Sequence, residues 1–213
     1  MPSSEAQRNL SDLVRINRWF GGHRALLQVF ARLVDPLERF SVLDVGAASG
    51  DMGKQILTSY SNAWVVSLDH RISHLRSASP PRVVAEASAV PFDDRTFDFV
   101  LCSLLLHHFS NVDAAALLVD LLRVPRRALI VVDLERHAIP YYFLSLAGWL
   151  FRWSKLTVHD GRVSVAAGFK PRELRSIVEQ AGMKEMAAQR HLPWFRISVV
   201  IPSSPTDQRD CGS

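Results

Sequence analysis

The sequence is poor in cysteine and in lysine. Its 213 residues contain two cysteines, Cys102 in an apolar run and Cys211 in a polar stretch near the C-terminus. So few cysteines, one in an apolar run and the other in a polar stretch, argue against a disulfide and indicate a reducing compartment. Nearly all of the 25 basic residues are arginine, because lysine occurs only at positions 54, 155, 170 and 184. The base composition of the source genome and phosphate recognition both account for this bias, and the two interpretations stay open.

Long apolar runs and targeting signals are also missing. The longest apolar stretch, IPYYFLSLAGWLF, is shorter than the roughly 20 residues that a membrane span needs. The first residues, MPSSEAQRNLSD, lack the apolar core of a secretion signal. We therefore expect a soluble protein of the cytoplasm.

A concentrated basic region and a dinucleotide-binding turn are absent as well. The formal net charge is +4, and the charges are scattered along the chain. Nucleic acid is therefore not the favoured partner. The GxGxxG spacing of dinucleotide-binding turns does not occur, which counts against NAD and FAD.

Apolar runs alternate with helical patterns along most of the chain. Strands are predicted at FSVLDV, AWVVSLD, RVVAEA, FDFVLCSLLL and ALIVVDLER, with helical or turn segments between them. Two more strands, MKEMAAQRH and RISVVI, are joined too tightly for a crossover helix. The pattern predicts an α/β fold with a doubly wound, seven-stranded, mostly parallel sheet, helices on both faces and an antiparallel hairpin at one edge.

The chain is 48% hydrophobic, which suits one α/β domain with a substantial core. Two helical patterns, near residues 10–19 and 23–34, place an N-terminal helical extension or lid at residues 1–35. We expect one Rossmann-like domain at residues 36–202 and a disordered tail at 203–213. Within the domain, the aromatic segment PYYFLSLAGWLFRW predicts a helix, and SKLTVHDGRVSV after it is predicted to be irregular.

In an open parallel sheet, ligands bind beyond the carboxyl ends of the strands. The first predicted strand ends in VLDVGAASG, where Gly46 and Gly50 allow a sharp turn and close contact between a ligand and the backbone. Asp69 ends the second strand, about 20 residues after this turn. A carboxylate at that separation along the sequence can bind the hydroxyls of a ribose. Glu86 ends the third strand, and His107 and His108 follow the fourth.

These strand ends resemble the class I (Rossmann-like) S-adenosylmethionine-dependent methyltransferases, in particular the type 11 group related to ubiquinone and menaquinone methyltransferases. Four motifs in the family's order carry the resemblance, VLDVGAASG, VVSLD, AEASAVPFDDRTFDFV and LCSLLLHHF. It covers about residues 41–132. Two other stretches, RINRWFGGHR and HDGRVSVAAGFKPRELRSIVEQAGM, are similar to a bacterial subset associated with type III polyketide synthases, which is a lead on the substrate.

The resemblance implies S-adenosylmethionine as the cofactor, S-adenosylhomocysteine as its product, and no metal. It assigns Asp44 to the methionine end, Asp69 to the ribose hydroxyls, and Glu86 with the Ala87 N–H to the adenine. Ala48 stands at the third position of the family's Gly-x-Gly-x-Gly pattern, where the family has its second glycine. Any one acidic strand end on its own is better explained as a helix cap or ion-pair partner. The expected cofactor-binding residues are Asp44, Gly46, Ala47, Gly50, Asp69, His70, Glu86, Ala87, Cys102, Ser103 and His107.

The candidate proton acceptors are His159 and His108. We rank His159 first, because it stands beside Asp160 in the segment where related enzymes cover the acceptor. A plain turn at Asp160 and Gly161 is the equal alternative, and for His108 the alternative is a cap on the strand–helix connection. The aromatic helix offers a pocket for a flat acceptor, although most of its rings are expected to pack on the sheet. The expected acceptor-binding residues are Trp19, His23, Tyr141, Tyr142, Asp160 and Ser164.

The leading hypothesis is a metal-independent methyltransferase of a small aromatic, polyketide or quinone-like acceptor, with O-methylation by in-line displacement and a histidine base. C- and N-methylation stay open. No carboxylate–amide cluster follows the fourth strand, and the Asn/Asp-Pro-Pro-Tyr stretch of nucleic-acid amino-methylating relatives is absent there. The alternatives are a non-catalytic binding module, suggested by Ala48, and an RNA or protein methyltransferase, suggested by the basic charge. Monomer and homodimer are both open.

Overall fold

The computed structural model describes residues 17, 21–150 and 155–203. It contains one seven-stranded sheet with the strand order β3-β2-β1-β4-β5-β7-β6. The strands are β1 (Phe40–Val45), β2 (Ala63–Asp69), β3 (Arg82–Val84), β4 (Phe97–Ser103), β5 (Pro125–Leu134), β6 (Ala187–His191) and β7 (Arg196–Pro202). The first five pair in parallel, and β7 runs antiparallel to both β5 and β6.

Six helices are described. They are α1 (Gly22–Phe30), α2 (Asp51–Ser59), α3 (Asn111–Leu122), α4 (Ala138–Leu150), α5 (Lys155–Ala167) and α6 (Pro171–Gln180). Short 3-10 turns lie at Leu75–Ser77, Ala87–Ala89 and Leu106–His108. Among the described helices, none has the length and apolar character to cross a membrane.

The two faces of the sheet carry two separate apolar cores. Side chains alternate between faces along a strand, so Val42 and Phe99 lie in one core while Leu43 and Val100 lie in the other. Helices cover both faces, which explains why the central strands read as continuous apolar runs rather than as alternating ones. The core on the α1–α2 face centres on the stacked rings of Phe30 and Phe40.

The predicted fold class and the C-terminal hairpin are confirmed by this topology. Strands β1 and β2 begin and end where the sequence places them. The prediction of an irregular segment after the aromatic helix is wrong, because α5 occupies Lys155–Ala167. Gly161 lies within α5, where a Cβ at this position would be 3.3 Å from Leu144 Cδ1 of α4. The Asp160-Gly161 pair therefore serves close helix packing rather than a turn.

The predicted N-terminal extension is only partly described. Helix α1 buries Ala25, Leu26, Val29 and Phe30 in the sheet core. Apart from Asn17, the helix predicted near residues 10–19 lies outside the described residues, and so do the candidate residue Trp19 and residues 204–213 of the predicted tail. The boundaries at residues 35 and 203 stay predictions.

Candidate active site

The loop between β1 and α2 turns through three residues with positive φ. They are Gly46 (71°), Ala48 (46°) and Gly50 (70°). Gly50 caps α2, and a Cβ there would lie 2.5 Å from the Ala78 side chain. A Cβ at Gly46 would lie 3.0 Å from Leu105 Cδ1. Both glycines are therefore required by backbone conformation and by close packing, whereas Ala48 adopts the left-handed conformation despite its methyl group.

Asp69, at the end of β2, holds this loop in place. Its Oδ2 accepts a hydrogen bond from the Ala48 N–H at 3.0 Å, and its Oδ1 accepts one from the Arg71 N–H at 2.9 Å. His70 and His74 place ring nitrogens 3.3 and 3.2 Å from the same Oδ1. A carboxylate has about four acceptor positions, so Oδ2 retains capacity for a further donor.

Asp44, in β1, is a deeply buried carboxyl at this end of the sheet. It is 1% exposed, and within the described part of the chain its Oδ2 has no hydrogen-bond partner. Burial raises the pKa of Asp44 to about 7; a backbone hydrogen bond from Gly53 lowers it, and the charges of Asp51 and Asp69 raise it. A cation beside these three carboxylates would stabilise the ionised form of Asp44.

A cavity of about 900 Å³ opens at the carboxyl edge of the sheet. One part, which we call the loop half, is lined by Asp44, Gly46, Ala47, Ala48, Ser49, Asp51 and Asp69. The other part, the hairpin half, is lined by Ile139, Phe143, Leu144, Trp194, Phe195 and Arg196. Since β4 lies between β1 and β5 in the sheet, the segment after β4, with Ser103, His107 and His108, lines the cavity between the two halves.

His107 and Asp133 form a buried pair at the centre of this edge. The His107 side chain is 4% exposed and the Asp133 side chain 0%. The ring Nδ1 lies 2.7 Å from Asp133 Oδ1, and the His107 backbone N–H donates to Asp133 Oδ2 at 3.3 Å. Since an ionised carboxylate only accepts hydrogen bonds, Nδ1 carries the proton and Nε2 is left as the basic nitrogen.

His108 stands next to this pair on the more open side. Its ring centroid is 4.2 Å from that of His107. Burial, followed by the repulsion from His107 when that ring is protonated, lowers the pKa of His108, while Asp133 acts in the opposite direction. His108 is therefore neutral at physiological pH.

The cavity brings together about half of the residues predicted from the sequence. Those that line it are Asp44, Gly46, Ala47, Asp69, His70, Ser103, His107, His108, Asp160 and Ser164. Gly50 shapes the loop without lining the cavity, and Cys102 is buried in the sheet, where burial raises the pKa of its thiol. Glu86 and Ala87 follow β3 at the start of a 3-10 turn, and the Glu86 side chain is exposed.

The other predicted residues lie apart from the cavity lining. His159 is exposed on α5, although its neighbour Asp160 lines the cavity. The Tyr141 hydroxyl accepts a hydrogen bond from Arg162, and Tyr142 is 71% exposed. His23, on α1, contacts Asp51 Oδ2 through Nε2 at 2.7 Å. It therefore reaches the cavity through Asp51 rather than directly.

Sequence reasoning missed Asp51, Trp194, Phe195 and Arg196. Asp133, near the end of the fifth strand, is pointed to by the same strand-end rule as Asp44 and Asp69, although the sequence assigned it no role. The other residues carry weaker signals. Arg196 begins an apolar strand and Trp194 follows a proline, and neither pattern distinguishes a cavity wall from a surface turn. Among the described residues, no group of three or more His, Cys, Asp or Glu side chains lies together to hold a metal.

Part of the chain matches a known protein family. Residues 42–128 match the family described as "Methyltransferase domain". The malonyl-[acyl-carrier protein] O-methyltransferase 1 of Coxiella burnetii is 36% identical over 76 residues, which make up 36% of this chain. The match spans 27% of that relative's length.

Solved structures share the fold over nearly the whole chain. The plantazolicin methyltransferase in complex with S-adenosylhomocysteine superposes with a TM-score of 0.68 and 15% identity, covering 94% of this chain and 91% of that one. Human N-acetylserotonin methyltransferase in complex with S-adenosylmethionine has a TM-score of 0.66 and 14% identity, covering 94% of this chain and 56% of that one.

Proposed function

We propose that the chain is a class I, S-adenosylmethionine-dependent methyltransferase that transfers the methyl group of this cofactor to an oxygen of a small, flat acceptor. The observation that carries the proposal is the continuity of the cavity. It runs from the acidic loop half, past His107 and His108, to the apolar hairpin half. Two ligands bound in the two halves would meet beside a histidine.

The loop half fits S-adenosylmethionine on three counts. The positive-φ loop exposes backbone close to the cavity, as the cradle of an extended ligand requires. The partnerless Oδ2 of Asp44 lies in a cluster of three carboxylates that favours a ligand with ammonium and sulfonium charges. Asp69 lines the same wall, and we assign its remaining acceptor capacity to the ribose hydroxyls.

The hairpin half suits an acceptor with a flat apolar body. Its walls are formed by Ile139 and Phe143 from α4 and by Trp194 and Phe195 from the β6–β7 connection. Pockets for small organic ligands typically have about 300–1,000 Å³ and predominantly apolar walls. A cavity of about 900 Å³ is therefore large enough for a cofactor and an aromatic acceptor together.

We propose that His107 accepts the proton of the acceptor hydroxyl, with Asp133 as its positioning residue. When bound, S-adenosylmethionine supplies an electrophilic methyl group for in-line transfer. His107 Nε2 takes the proton from the attacking oxygen, and Asp133 holds the ring orientation and stabilises the imidazolium that forms. General-base catalysis of this kind contributes typically about 10²–10⁴-fold. The neighbouring His108, neutral at physiological pH, serves as a second polar contact to the acceptor.

Calorimetry and mass spectrometry test the proposal in two stages. S-adenosylhomocysteine should bind the wild-type protein, and S-adenosylmethionine should then methylate at least one member of a panel of phenols and hydroxyquinones. His107→Ala should lower kcat about 10²–10⁴-fold and change the affinity for S-adenosylhomocysteine by no more than a few-fold. Absence of cofactor binding at millimolar ligand would overturn the proposal.

His159→Ala is the matched control for the base. Its side chain is exposed on α5 outside the cavity lining, so we expect near wild-type turnover from this variant. Turnover that falls with His159→Ala and persists with His107→Ala would reverse the assignment.

One observation bears on a second candidate, a binding module without activity. That alternative rested on Ala48 in place of glycine, yet Ala48 adopts the positive φ and donates its N–H to Asp69. The loop therefore closes without a glycine at position 48, which supports a working cofactor site. Cofactor binding without methyl transfer to any acceptor would favour the binding module.

A further inference from the structure

His23, in the first turn of α1, contacts a lining residue of the loop half from outside the cavity. Its Nε2 lies 2.7 Å from Asp51 Oδ2, and the two side chains are 16% and 15% exposed. Because an ionised carboxylate only accepts hydrogen bonds, the His23 Nε2 carries a proton and donates it to Asp51. Ion pairs that are open to solvent contribute little, whereas this pair is largely removed from water.

The helix that carries His23 fixes the position of the imidazole. Leu26 and Phe30 of α1 are fully buried in the core on the α1–α2 face of the sheet. At the start of the helix, the Ala25 N–H donates a hydrogen bond to the Gly21 carbonyl at 2.8 Å. The ring of His23 therefore approaches Asp51 from an element that is itself held by the core.

Asp51 is the member of this pair that lines the cavity. It is the first residue of α2, and the N-cap residue before it, Gly50, has no side chain to cap the helix. The N–H groups of a first helical turn have no partner within the helix, so they would attract an Asp51 carboxylate that is free to rotate. The hydrogen bond from His23 occupies one of its roughly four acceptor positions and restricts this rotation.

The restrained carboxylate lies beside a position that suits a cation. Asp44 is 1% exposed, and within the described part of the chain its Oδ2 has no hydrogen-bond partner. The charges of Asp51 and Asp69 both act on Asp44, so three carboxylates lie close together in the loop half. S-adenosylmethionine and S-adenosylhomocysteine share one cationic group, the ammonium of their amino-acid part. A cation of this kind would relieve the repulsion among the carboxylates.

We propose that His23 is a positioning residue of the cofactor site, which holds the Asp51 carboxylate in the orientation that binds the ammonium group of S-adenosylmethionine. The inference rests on the proposed function, because it concerns the loop half of the same cavity. A side chain that is already ordered in the free protein costs less to immobilise when a ligand binds. Without His23, the ligand itself would have to order Asp51.

A double-mutant cycle tests whether His23 acts through Asp51, with the affinity for S-adenosylhomocysteine measured by calorimetry. His23→Ala should weaken binding about two- to tenfold, the cost of ordering one side chain. Asp51→Ala should weaken it about ten- to a hundredfold, because a hydrogen bond to a charged group is lost. In the Asp51→Ala background, His23→Ala should have no further effect. An equal loss in both backgrounds would overturn the inference, whereas no binding to the wild-type protein would overturn the proposed function.

A rescue variant and a second ligand separate positioning from folding. His23→Gln keeps an N–H donor on the side chain and should restore most of the affinity for S-adenosylhomocysteine. The second ligand, 5′-methylthioadenosine, lacks the amino-acid part, so it should bind the wild type and His23→Ala equally well. The same loss for both ligands would mean that the whole loop is disturbed, which contradicts a role confined to Asp51.

Arg24→Ala is the matched control on the same turn of α1. Arg24 follows His23, its side chain is exposed, and it does not line the cavity. We therefore expect this variant to bind S-adenosylhomocysteine as tightly as the wild type does. A loss in Arg24→Ala as large as that in His23→Ala would show that the effect comes from α1 in general, and it would overturn the assignment of His23.

Discussion

Ala48 shows how a single methyl group modifies a binding loop. An L-residue in the left-handed region costs roughly 1–2 kcal/mol, and Ala48 has φ 46°. A glycine at this position removes the strain. It also increases the conformational entropy of the unfolded chain, which lowers the free energy of unfolding by about 0.4–1 kcal/mol. We predict that Ala48→Gly raises the free energy of unfolding by about 0.5–1 kcal/mol, measured by urea denaturation.

Ala47→Gly is the control for this prediction. Ala47 lies beside Ala48 in the same loop and is not among the residues with positive φ. Its substitution therefore adds only freedom to the unfolded chain and should lower stability. The same two variants report on ligand binding, because a loop that is relieved of strain in Ala48→Gly should bind S-adenosylhomocysteine at least as tightly as the wild type. A loss of stability in Ala48→Gly would show that the methyl group contributes packing that outweighs its strain.

Part of the cavity lining was accessible to sequence reasoning for a simple physical reason. Parallel strands end at one edge of the sheet, so Asp44, Asp69 and His107 come together once their strands are ordered. The side-chain direction after β3 is not determined by that rule, and Glu86 is exposed. The partnership of His107 with Asp133 depends on the register between β4 and β5, which periodicity does not specify.

At the scale of elements, the start of α1 packs closely against Trp194 in the β6–β7 connection, which forms a wall of the hairpin half. Gly21 caps α1 with φ 75°, and a Cβ at this position would lie 2.2 Å from Trp194 Cγ. We predict that Gly21→Ala destabilises the protein by more than the roughly 1–2 kcal/mol of left-handed strain alone, because it also displaces the Trp194 ring. Urea denaturation and the fluorescence of the tryptophans measure both effects.

Gly182→Ala is the control that measures the backbone strain without a steric clash. Gly182 has φ 83°, and nothing lies within 4 Å of the position a Cβ would take. This substitution should therefore cost only the strain and leave the tryptophan signal unchanged. Equal losses of stability in the two variants would mean that Trp194 moves aside without penalty.

Local sequence patterns predicted strand β1 correctly and helix α5 incorrectly. The strand β1 was predicted with its observed bounds, because a β-branched apolar run that ends in glycine has few alternatives. Helix α5 was missed because an Asp-Gly pair and four β-branched residues argue for a turn or strand. Its stability comes from packing against α4, at contacts such as Gly161 with Leu144 and Val158 with Gly148. Such contacts join residues from different parts of the chain and leave no periodic signal.

At the scale of the whole molecule, His191 joins the hairpin to the helical layer on one face. It is 3% exposed, and its ring contacts the Gln28 side chain of α1 and the Ser198 hydroxyl of β7, each at 2.8 Å. Burial, followed by the charge of Arg32, lowers the pKa of His191 from its ordinary value of 6.5. The unfolded chain therefore binds a proton more readily than the folded one below about pH 6.5.

We predict from this that the contribution of His191 to stability falls as the pH drops from 7 towards 5, by at most about 1.4 kcal/mol per pH unit, the value for one proton. Asp44, whose pKa is raised to about 7, contributes in the opposite direction, so the contribution of His191 is measured as a difference between proteins. His191→Gln keeps hydrogen-bonding groups at the site and removes the titration, so its unfolding free energy should rise relative to that of the wild type as the pH falls through this range. His159→Gln, which removes an exposed histidine from α5, should leave the slope unchanged. Parallel slopes in all three proteins would exclude His191 as the source.

The division of the cavity has an evolutionary consequence. The segment that matches the methyltransferase family ends at residue 128, and every residue of the loop half, together with His107, precedes that point. The hairpin half is formed by residues 134–196, which come later in the chain. Replacement of this later segment would change the acceptor without disturbing the residues assigned to the cofactor. Descendants of one gene would thus acquire new substrates by diverging in their second halves while keeping the same methyl donor.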